Sequence, residues 1–498
     1  MRARLNALLC LAALAGLTLA SPDAFAQKYN GRGHAPTIDA VRPPAPKGPR
    51  GDGGYRGPRG GGRGVAVPGI IMTVPAMLPP GGGRFIDDGS AEDNPRPARR
   101  SQRAARRGTG SAPPPGERRF VPDEVVIEVA SSVNARQIDA LQRRHRLTRI
   151  ESRTNQLSGT TMFRWRIPDR RSVAAVVRAL EADRIVASAQ PNYLFTLQQN
   201  ETKTAGDPAQ YELAKLHITE AHALSEGDGV RVAVIDSGVD ATHPELAGSV
   251  VESFDTLETP VTPHKHGTAI AGLIAAHGRL MGAAPKARIL AVRAFDPAGV
   301  RATGTTFDIL KGLDWAATHD ARVINMSFAG PSDPAIHRSL AAAHAKGIVL
   351  VAAAGNAGPK SPPLYPAADA NVIAVTATGA DDSLFAQSNR GRHIAVAAPG
   401  TQLLVAIPDG GYELSSGTSY AAAEVSGVVA LMLARDGKLS PGKVRAILQA
   451  TAKDLGPKGR DALFGAGLVD AHAALVAEDA PALAATPPGV ERITAETR

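Results

Sequence analysis

Short apolar runs, each ending in a polar residue or a glycine, recur through the second half of this 498-residue chain. The clearest are residues 231–236, 287–292 and 348–354. Runs of this length that are rich in Val, Ile, Leu and Ala predict strands buried on both faces, as in a parallel sheet. Helical patterns of small residues follow His266 and Ser419. Strands alternating with helices predict the α/β class, with a doubly wound parallel sheet.

A different pattern occupies residues 119–200. Its strands alternate apolar and polar positions, and its helices carry apolar residues on one side. The predicted elements are strands over 121–129, 160–167 and 187–197 and helices over 134–146 and 172–182. The order of these elements resembles the βαββαβ pattern of a small ferredoxin-like α+β domain, in which two strands lie between the helices.

The N-terminus has the pattern of an export signal. Two arginines precede an apolar run over residues 7–20, and an Ala-x-Ala site ends at Ala26. This predicts a secretory signal peptide over residues 1–26, with an apolar core too short to span a membrane. The single cysteine, Cys10, lies inside it, so we expect a mature chain without disulfides. We expect an exported protein, periplasmic or extracellular, with no membrane anchor.

The net charge of +9 belongs mainly to one segment. Residues 27–118 contain 16 basic and 7 acidic side chains among many Gly and Pro residues, a composition that predicts disorder. An Arg-Gly tail that binds polyanions is the sharper alternative, but export and the scarcity of aromatic residues argue against nucleic acid. Residues 119–200 carry 13 basic and 8 acidic side chains, and residues 201–498 carry 25 and 31. These opposite net charges predict electrostatic attraction between the two regions.

Three segments carry candidate catalytic residues, in the order Asp236, His266 and Ser419. A serine hydroxyl becomes a good nucleophile when an imidazole takes its proton and a carboxylate supports that imidazole. In isolation Asp236 would be a turn cap, His266 a surface histidine and Ser419 a helix cap. Asp236 ends a predicted strand, however, and Ser419 begins a predicted helix, whose free N–H groups favour an oxyanion. Together they favour hydrolytic catalysis.

These segments resemble those of the subtilisin-like serine proteases (subtilases, peptidase family S8). The resemblance covers roughly residues 205–475 and includes the Ala-Ala-Gly-Asn segment that ends at Asn356. It implies a subtilisin-like fold and a secreted serine endopeptidase, with Asp236, His266 and Ser419 as the triad and Asn356 as an oxyanion donor. Ala423-Glu424 stands where the family usually has Pro-His.

The resemblance also implies how substrates bind. Residues 323–330 resemble a family edge strand that pairs with an extended polypeptide. The implied substrate-binding residues are Ser327, Phe328, Ala329, Gly330, Ala354 and Gly355, whose small apolar character suggests an uncharged residue before the cleaved bond. No cofactor is implied for catalysis. Structural calcium is frequent in the family, but no contiguous carboxylate loop assigns its ligands, so no metal site is assigned.

The domain order implied by the resemblance is that of a zymogen. The Pro191-Asn-Tyr landmark ends a propeptide-like module, which would act as an intramolecular chaperone and inhibitor. The expected segments are a signal peptide at 1–26, a disordered segment at 27–118, the propeptide at 119–200, a peptidase domain at 201–478 and a flexible tail at 479–498. We expect a monomer that cleaves itself so that the catalytic fragment begins near residues 197–206.

Two other functions remain open at this stage. One is a binding protein with a subtilase fold and no catalysis, which would arise if the turn at Ala423-Glu424 misplaces the serine. The other is an Arg/Gly-rich adhesin that carries a vestigial domain.

Overall fold

The computed structural model describes residues 111–198 and 210–478, apart from 258, 261 and 299–301. The predicted signal peptide, residues 27–110 of the predicted disordered segment, residues 199–209 around the expected processing point, and the C-terminal tail lie outside the described residues.

The first described elements form an antiparallel sheet with two helices, here called the N-terminal domain. Its elements are β1 (Phe120–Ala130), α1 (Ala135–His145), β2 (Thr148–Asn155), β3 (Thr160–Arg166), α2 (Val173–Glu181) and β4 (Val186–Leu197). The predicted βαββαβ order is confirmed. Side chains of Asn134 and Ser172 cap the two helices by accepting N–H groups of the first turn, so each helix begins just after a residue suited to that position.

The second group of elements, here called the peptidase domain, alternates strands and helices. Its N-terminal half contains α3 (Tyr211–Lys215), α4 (Ile218–His222), β5 (Arg231–Asp236), a 3₁₀ turn (Pro244–Leu246), β6 (Val250–Asp255), α5 (Lys265–Ala275), β7 (Arg288–Arg293), β8 (Thr303–Thr305) and α6 (Thr306–Thr318). Its C-terminal half contains β9 (Val323–Met326), β10 (Phe328–Ala329), α7 (Pro334–Ala345), β11 (Val349–Ala353), β12 (Val372–Thr378), β13 (Ile394–Pro399), β14 (Leu403–Ile407), β15 (Gly411–Ser415), α8 (Thr418–Arg435), α9 (Pro441–Thr451) and α10 (Ala471–Glu478).

Seven strands of the peptidase domain form one parallel sheet, in the order β13-β12-β11-β9-β5-β7-β6. One face packs against α5, α8, α9 and α10, and the other against α6 and α7. The predicted α/β class and doubly wound sheet are therefore confirmed. In such sheets functional sites lie at the carboxyl ends of the strands.

The prediction for residues 323–330 is wrong in one respect. These residues do not form one edge strand, because β9 lies in the interior of the parallel sheet, between β5 and β11. Only β10 pairs with an extended strand, and that strand is β4 of the N-terminal domain. The buried Ser327 separates the two strands. Its hydroxyl accepts from the Asn325 amide at 2.9 Å and donates to the Ser419 carbonyl oxygen at 3.0 Å.

The predicted Pro-Asn-Tyr landmark lies where β4 meets two helices of the peptidase domain. Asn192 accepts from the backbone N–H of Phe307 at 3.3 Å, and the N–H of Tyr193 donates to Thr306 at 3.0 Å, both at the start of α6. Nearby, the Gln190 side-chain oxygen accepts from the N–H of Ala335, in the first turn of α7, at 3.0 Å. The landmark therefore satisfies N–H groups that a helix start leaves unpaired.

Candidate active site

Asp236 and His266 lie side by side at the carboxyl end of the parallel sheet. Asp236 is the last residue of β5, and His266 lies in the first turn of α5. The His266 Nδ1 atom is 2.8 Å from Asp236 Oδ1 and 2.9 Å from Oδ2, and both side chains are fully buried. This contact orients the imidazole. The other ring nitrogen, Nε2, has no hydrogen-bond partner in the described part of the chain.

Ser419 lies in the first turn of α8 and is fully buried. Its hydroxyl is 2.5 Å from the backbone carbonyl oxygen of Gln198 and 3.1 Å from that of Ser327. One hydroxyl has one proton, so these two oxygens share it. The Tyr420 ring, 5.9 Å from the His266 ring between centroids, packs next to the imidazole. The serine thus contacts a backbone carbonyl group rather than the histidine.

Asn356 lies directly beyond β11 and beside the start of α8. Its side-chain oxygen accepts from the Thr418 N–H at 3.1 Å and from the Thr418 hydroxyl at 2.8 Å. Its buried Nδ2 atom has no partner among the described residues. A buried amide nitrogen without an acceptor is costly, so a site that keeps one is suited to an oxygen that arrives during a reaction.

A single strand segment fills the groove in front of these residues. The end of β4 pairs with β8 on one side and with β10 on the other, both antiparallel. The strand pairing ends at Leu197, and the N–H of the next residue, Gln198, donates to the Ser327 carbonyl at 3.3 Å. The Gln198 side-chain oxygen accepts from the Asn356 N–H at 2.9 Å. The chain itself therefore occupies the groove in the way an extended peptide would.

The side chain of Phe195 is fully buried between the two flanking strands. Its ring makes an edge contact with Phe328, with the centroids 6.0 Å apart. A Cβ atom built on Gly330 would lie 2.2 Å from its Cδ1 atom, so the absence of a side chain at Gly330 makes room for the ring. Phe195 lies three positions before Gln198, whose carbonyl group faces Ser419.

The predicted substrate-binding residues divide into two groups. Ser327, Phe328, Ala329 and Gly330 all contact or pair with the segment that ends at Gln198. Ala354 and Gly355 are buried behind Asn356, and their N–H groups donate to the Val375 carbonyl at 2.9 Å and the Thr418 hydroxyl at 3.1 Å. The four-residue group lines the occupied groove, while the other two support the turn that carries Asn356.

The chain is similar to a known protein family and to several of its members. The model of the Subtilase family matches residues 227–467. Thermitase from Thermoactinomyces vulgaris is 37% identical over 284 residues, which are 55% of this chain and 99% of thermitase. This chain belongs to the subtilase family.

Other subtilases extend the comparison. Subtilisin E from Bacillus subtilis is 37% identical over 276 residues, 53% of this chain and 70% of the relative. The crystal structure of fervidolysin from Fervidobacterium pennivorans, a keratinolytic enzyme related to subtilisin, has a TM-score of 0.61 at 25% identity and covers 72% of this chain. This chain spans 61% of that structure. The predicted class is confirmed: this subtilase is a subtilisin-like serine endopeptidase.

Two residues that contact the site of this subtilase were not predicted from the sequence. Gln198 lies in a polar stretch without periodicity, and only its place in the groove distinguishes it. His264 precedes His266 by two residues, and its Nδ1 atom is 2.8 Å from the Ser237 hydroxyl beside Asp236. The histidine that directly follows Pro263 in Pro-His-Lys-His was the one available signal for His264.

The carboxylates of this subtilase bear on whether it has a calcium site. In the part of the chain that the structure describes, no three His, Cys, Asp or Glu side chains form a group that could hold a metal ion. The buried carboxylate of Glu245 accepts from three backbone N–H groups and from the Tyr412 hydroxyl, an arrangement that suits an anion held by donors. The structure thus assigns no calcium ligands.

Among the described helices, none is both long and apolar enough to cross a membrane.

Proposed function

We propose that Asp236, His266 and Ser419 form the catalytic triad of this endopeptidase. Ser419 attacks the scissile carbonyl carbon, and His266 takes the serine proton at Nε2 and passes it to the leaving amine. Asp236 holds the imidazole by its Nδ1–H and supports the positive charge. Asn356 Nδ2 and the Ser419 backbone N–H stabilise the oxyanion. This role requires the Ser419 hydroxyl to turn from its carbonyl acceptors to His266 Nε2.

We further propose that the first substrate is the chain itself. The observation that carries this proposal is the Gln198 carbonyl, 2.5 Å from the Ser419 hydroxyl, at the end of a strand paired on both sides. Backbone pairing of this kind is how proteases hold extended peptides. The cleaved bond is then Gln198–Gln199, within the expected window of 197–206 for the new N-terminus.

The cleavage follows acyl transfer. Ser419 Oγ bonds to the Gln198 carbonyl carbon as its proton moves to His266, and the bond to the Gln199 nitrogen then breaks, with that nitrogen taking the proton. A water molecule, deprotonated by His266, hydrolyses the acyl-enzyme. The product leaves Gln198 as a carboxyl terminus in the groove.

The N-terminal domain is proposed to remain as a product-like inhibitor. Buried and partly buried contacts support this proposal. Lys311 on α6 lies 3.1 Å from Glu151, Asp314 accepts from the Leu157 N–H at 2.8 Å, and Arg338 on α7 pairs with Glu128. With β4 in the groove, no other polypeptide has access to Ser419 until this domain leaves.

We also propose that the protein is exported and monomeric. The predicted signal peptide supports secretion, and one relative is named a minor extracellular protease, from Bacillus subtilis. The peptidase would act on polypeptides outside the cytoplasm, with an uncharged residue before the cleaved bond.

Expression of wild-type protein and of Ser419→Ala tests the proposal. The wild-type catalytic fragment should begin at Gln199, and Ser419→Ala should stay joined at that bond and lose peptidase activity on the order of a million-fold. Ser361→Ala, at a partly exposed loop serine, is the matched control and should process normally. Intact mass is the measurement, because an N-terminal glutamine can cyclise and block Edman sequencing.

A labelled fluorophosphonate separates this proposal from the non-catalytic alternative. Only a serine activated by its histidine reacts rapidly, so the matured wild-type protein should be labelled at Ser419. Equal processing of wild type and Ser419→Ala would assign the cleavage to another protease. Lack of labelling in a folded, processed wild-type protein would instead support the binding-protein alternative.

A further inference from the structure

Asp236 has two histidine neighbours, one direct and one through a serine. His266 contacts the carboxylate directly. The Ser237 hydroxyl contacts the same carboxylate oxygen, Oδ1, at 2.9 Å and lies 2.8 Å from His264 Nδ1. Ser237 is fully buried, and its backbone N–H also donates to Asp236 Oδ1 at 2.7 Å. His264, Ser237 and Asp236 therefore form a continuous hydrogen-bonded chain that ends at His266.

The hydrogen bonds that join His264, Ser237 and Asp236 can run in two directions. The Ser237 hydroxyl has one proton, so it donates either to Asp236 or to His264. If it donates to Asp236, then His264 Nδ1 must carry a proton and donate to the Ser237 oxygen. The carboxylate then accepts from the Ser237 N–H, the Ser237 O–H and the His266 Nδ1–H. The other arrangement removes one of these three donors from Asp236.

His264 has one competing contact, which is weaker. The His266 backbone N–H lies 3.4 Å from His264 Nδ1, at the long limit for a hydrogen bond, whereas Ser237 lies at 2.8 Å. A proton on Nδ1 gives Asp236 its third donor and gives up only this 3.4 Å contact, so the tautomer with Nδ1–H is the one that supports the triad. His264 also occupies the cap position of α5, which fixes its place relative to His266.

Burial is the main reason that His264 stays neutral. Burial lowers the pKa of His264, the positive charges of His266 and Lys265 lower it further, and Asp236 opposes them. Lys265 lies 3.7 Å from Glu413 of β15. Since the pKa is below its ordinary value, His264 is neutral at pH values where a solvent-exposed histidine is already partly protonated.

We propose that His264 is a positioning residue for catalysis, which acts by holding the Ser237 hydroxyl on Asp236. In its neutral form it keeps the carboxylate fixed on three donors and so keeps the His266 ring aligned. In its protonated form it places a positive charge beside Asp236, which opposes formation of the imidazolium on His266 during the reaction. His264 therefore supports turnover only when it is neutral. This role rests on the triad proposed above.

A double-mutant cycle tests the role, because His264 is proposed to act through Ser237. In matured enzyme, His264→Ala should lower kcat about fivefold to tenfold, with little change in KM, since one hydrogen bond to the carboxylate is lost. In a Ser237→Ala background, the same change should alter kcat less than about twofold. His264→Asn should retain kcat within about threefold, because an amide N–H can donate to Ser237 and asparagine is also a good helix cap.

The pH profile supplies a readout that a purely structural role would not change. The acid limb of kcat/KM in wild type should fall more steeply than one ionisation predicts, because protonation of either histidine lowers activity. In His264→Asn the limb should follow a single ionisation. Fluorophosphonate titration counts active sites, and thermal unfolding checks that each variant is folded.

The outcomes separate this inference from the proposed triad. Failure of matured wild type to label at Ser419 would contradict the triad itself. Normal labelling with additive effects of His264→Ala and Ser237→Ala, or with the same acid limb in wild type and His264→Asn, would leave the triad intact and overturn the role of His264. Should His264→Ala not fold, the comparison of wild type with His264→Asn still decides the question.

Discussion

At the scale of single residues, the clearest unsatisfied group is the amide nitrogen of Asn356. The two ends of this side chain differ, because the oxygen accepts twice from Thr418 and the nitrogen has no partner in the described part of the chain. The fixed oxygen sets the plane of the amide. The nitrogen is thereby held ready for an acceptor without any reorganisation when the oxyanion forms.

Asn356→Ala should therefore lower kcat by roughly 10²- to 10³-fold, with a small effect on KM, since the lost hydrogen bond forms mainly in the transition state. Thr418→Val is the matched control: it removes the hydroxyl that orients the amide but keeps the Nδ2 donor. It should cost clearly less than Asn356→Ala. Steady-state kinetics on a peptide substrate measure both, and equal losses would show that orientation rather than donation matters.

Gly330 should set the residue preferred at the position of Phe195, the fourth before the cleaved bond. A methyl group at Gly330 would overlap the Phe195 ring, with a Cβ-to-Cδ1 distance of 2.2 Å. Gly330→Ala should lower kcat/KM for a peptide with Phe at that position relative to one with Ala, by about tenfold or more. The two-peptide ratio is the measurement. An unchanged ratio would mean that the pocket seen with Phe195 is not used by free substrates.

The sequence predicted the residues of the proposed triad but not their supporting contacts, for a physical reason. Asp236, His266 and Ser419 each follow a local pattern: the end of an apolar run or the start of a small-residue helix. The roles of Gln198 and His264 depend instead on which hydroxyl or carbonyl lies beside them in the fold. No periodicity encodes such a pairing, because the partner can be anywhere in the chain.

At the scale of elements, a buried carboxylate holds the turn that follows α5. Glu245 accepts from the N–H groups of Gly278, Arg279 and Leu280 at 2.9–3.1 Å and from the Tyr412 hydroxyl at 2.6 Å. Burial alone would raise the pKa of Glu245, but the Tyr412 hydroxyl and the three N–H groups hold it below its ordinary value. One side chain thus joins the 3₁₀ turn, the α5–β7 connection and β15.

Glu245→Gln should destabilise the fold at neutral pH by about 2 kcal/mol, because an amide has one acceptor oxygen where the carboxylate has two charged ones. A lowered pKa means that this stabilisation is present above the ordinary pKa of glutamate and is lost as pH falls through the folded-state value. The difference from wild type should therefore shrink below about pH 4. Chemical unfolding against pH measures it, with the exposed Glu220→Gln as control. A difference independent of pH would contradict the role of the charge.

The contact between α3 and α8 has the opposite pH dependence. Burial raises the pKa of Glu212 on α3 to about 7, and burial together with the charge of Glu212 raises that of Glu424 on α8. One oxygen of each has no hydrogen-bond partner among the described residues. Groups with raised folded-state pKa values favour the fold at low pH and cost stability as pH rises through those values. Glu424 is the residue that stands in place of the family histidine.

Glu424→Gln should therefore raise the free energy of unfolding at pH 8 by about 2 kcal/mol, because the amide stays neutral where the carboxyl must ionise or bind a proton at some cost. Little gain is expected near pH 4.5, where the folded-state carboxyl is neutral and the unfolded-state carboxyl is only about half ionised, so the linkage cost is small. Urea unfolding at the two pH values is the measurement. A loss of stability at pH 8 would show that an ionised Glu424 is accommodated by the fold.

At the scale of the whole molecule, the two domains share a sheet that local patterns could not predict. The sequence predicted the elements of both domains and their class, because each buries its own apolar faces. It predicted an extended segment along residues 327–330, but not that β8 would pair with the other side of β4, since Phe195 and Gly304 are paired across a long stretch of chain. That pairing is also the reason that residues 323–330 divide between two sheets. The register between such distant strands depends on contacts that exist only once the groove has formed.

A charged contact between the two domains predicts how the N-terminal domain leaves after cleavage. Arg338 on α7 donates to the buried Glu128 and, at 2.7 Å, to the Ser188 hydroxyl, although its own side chain is 41% exposed. Arg338→Ala leaves Glu128 without this cation at the interface and should speed release of inhibition about fivefold, the effect of roughly 1 kcal/mol for a partly screened pair. Activity recovered after dilution of the processed, inhibited protein measures release. High salt should speed release in wild type and less so in the variant, because exposed charges are screened.

Arg322→Ala, whose arginine contacts the Gly437 carbonyl within the peptidase domain, is the control and should release like wild type. Release that is equal in all three proteins and independent of salt would show that strand pairing and buried apolar contacts, rather than charge, retain the inhibitor.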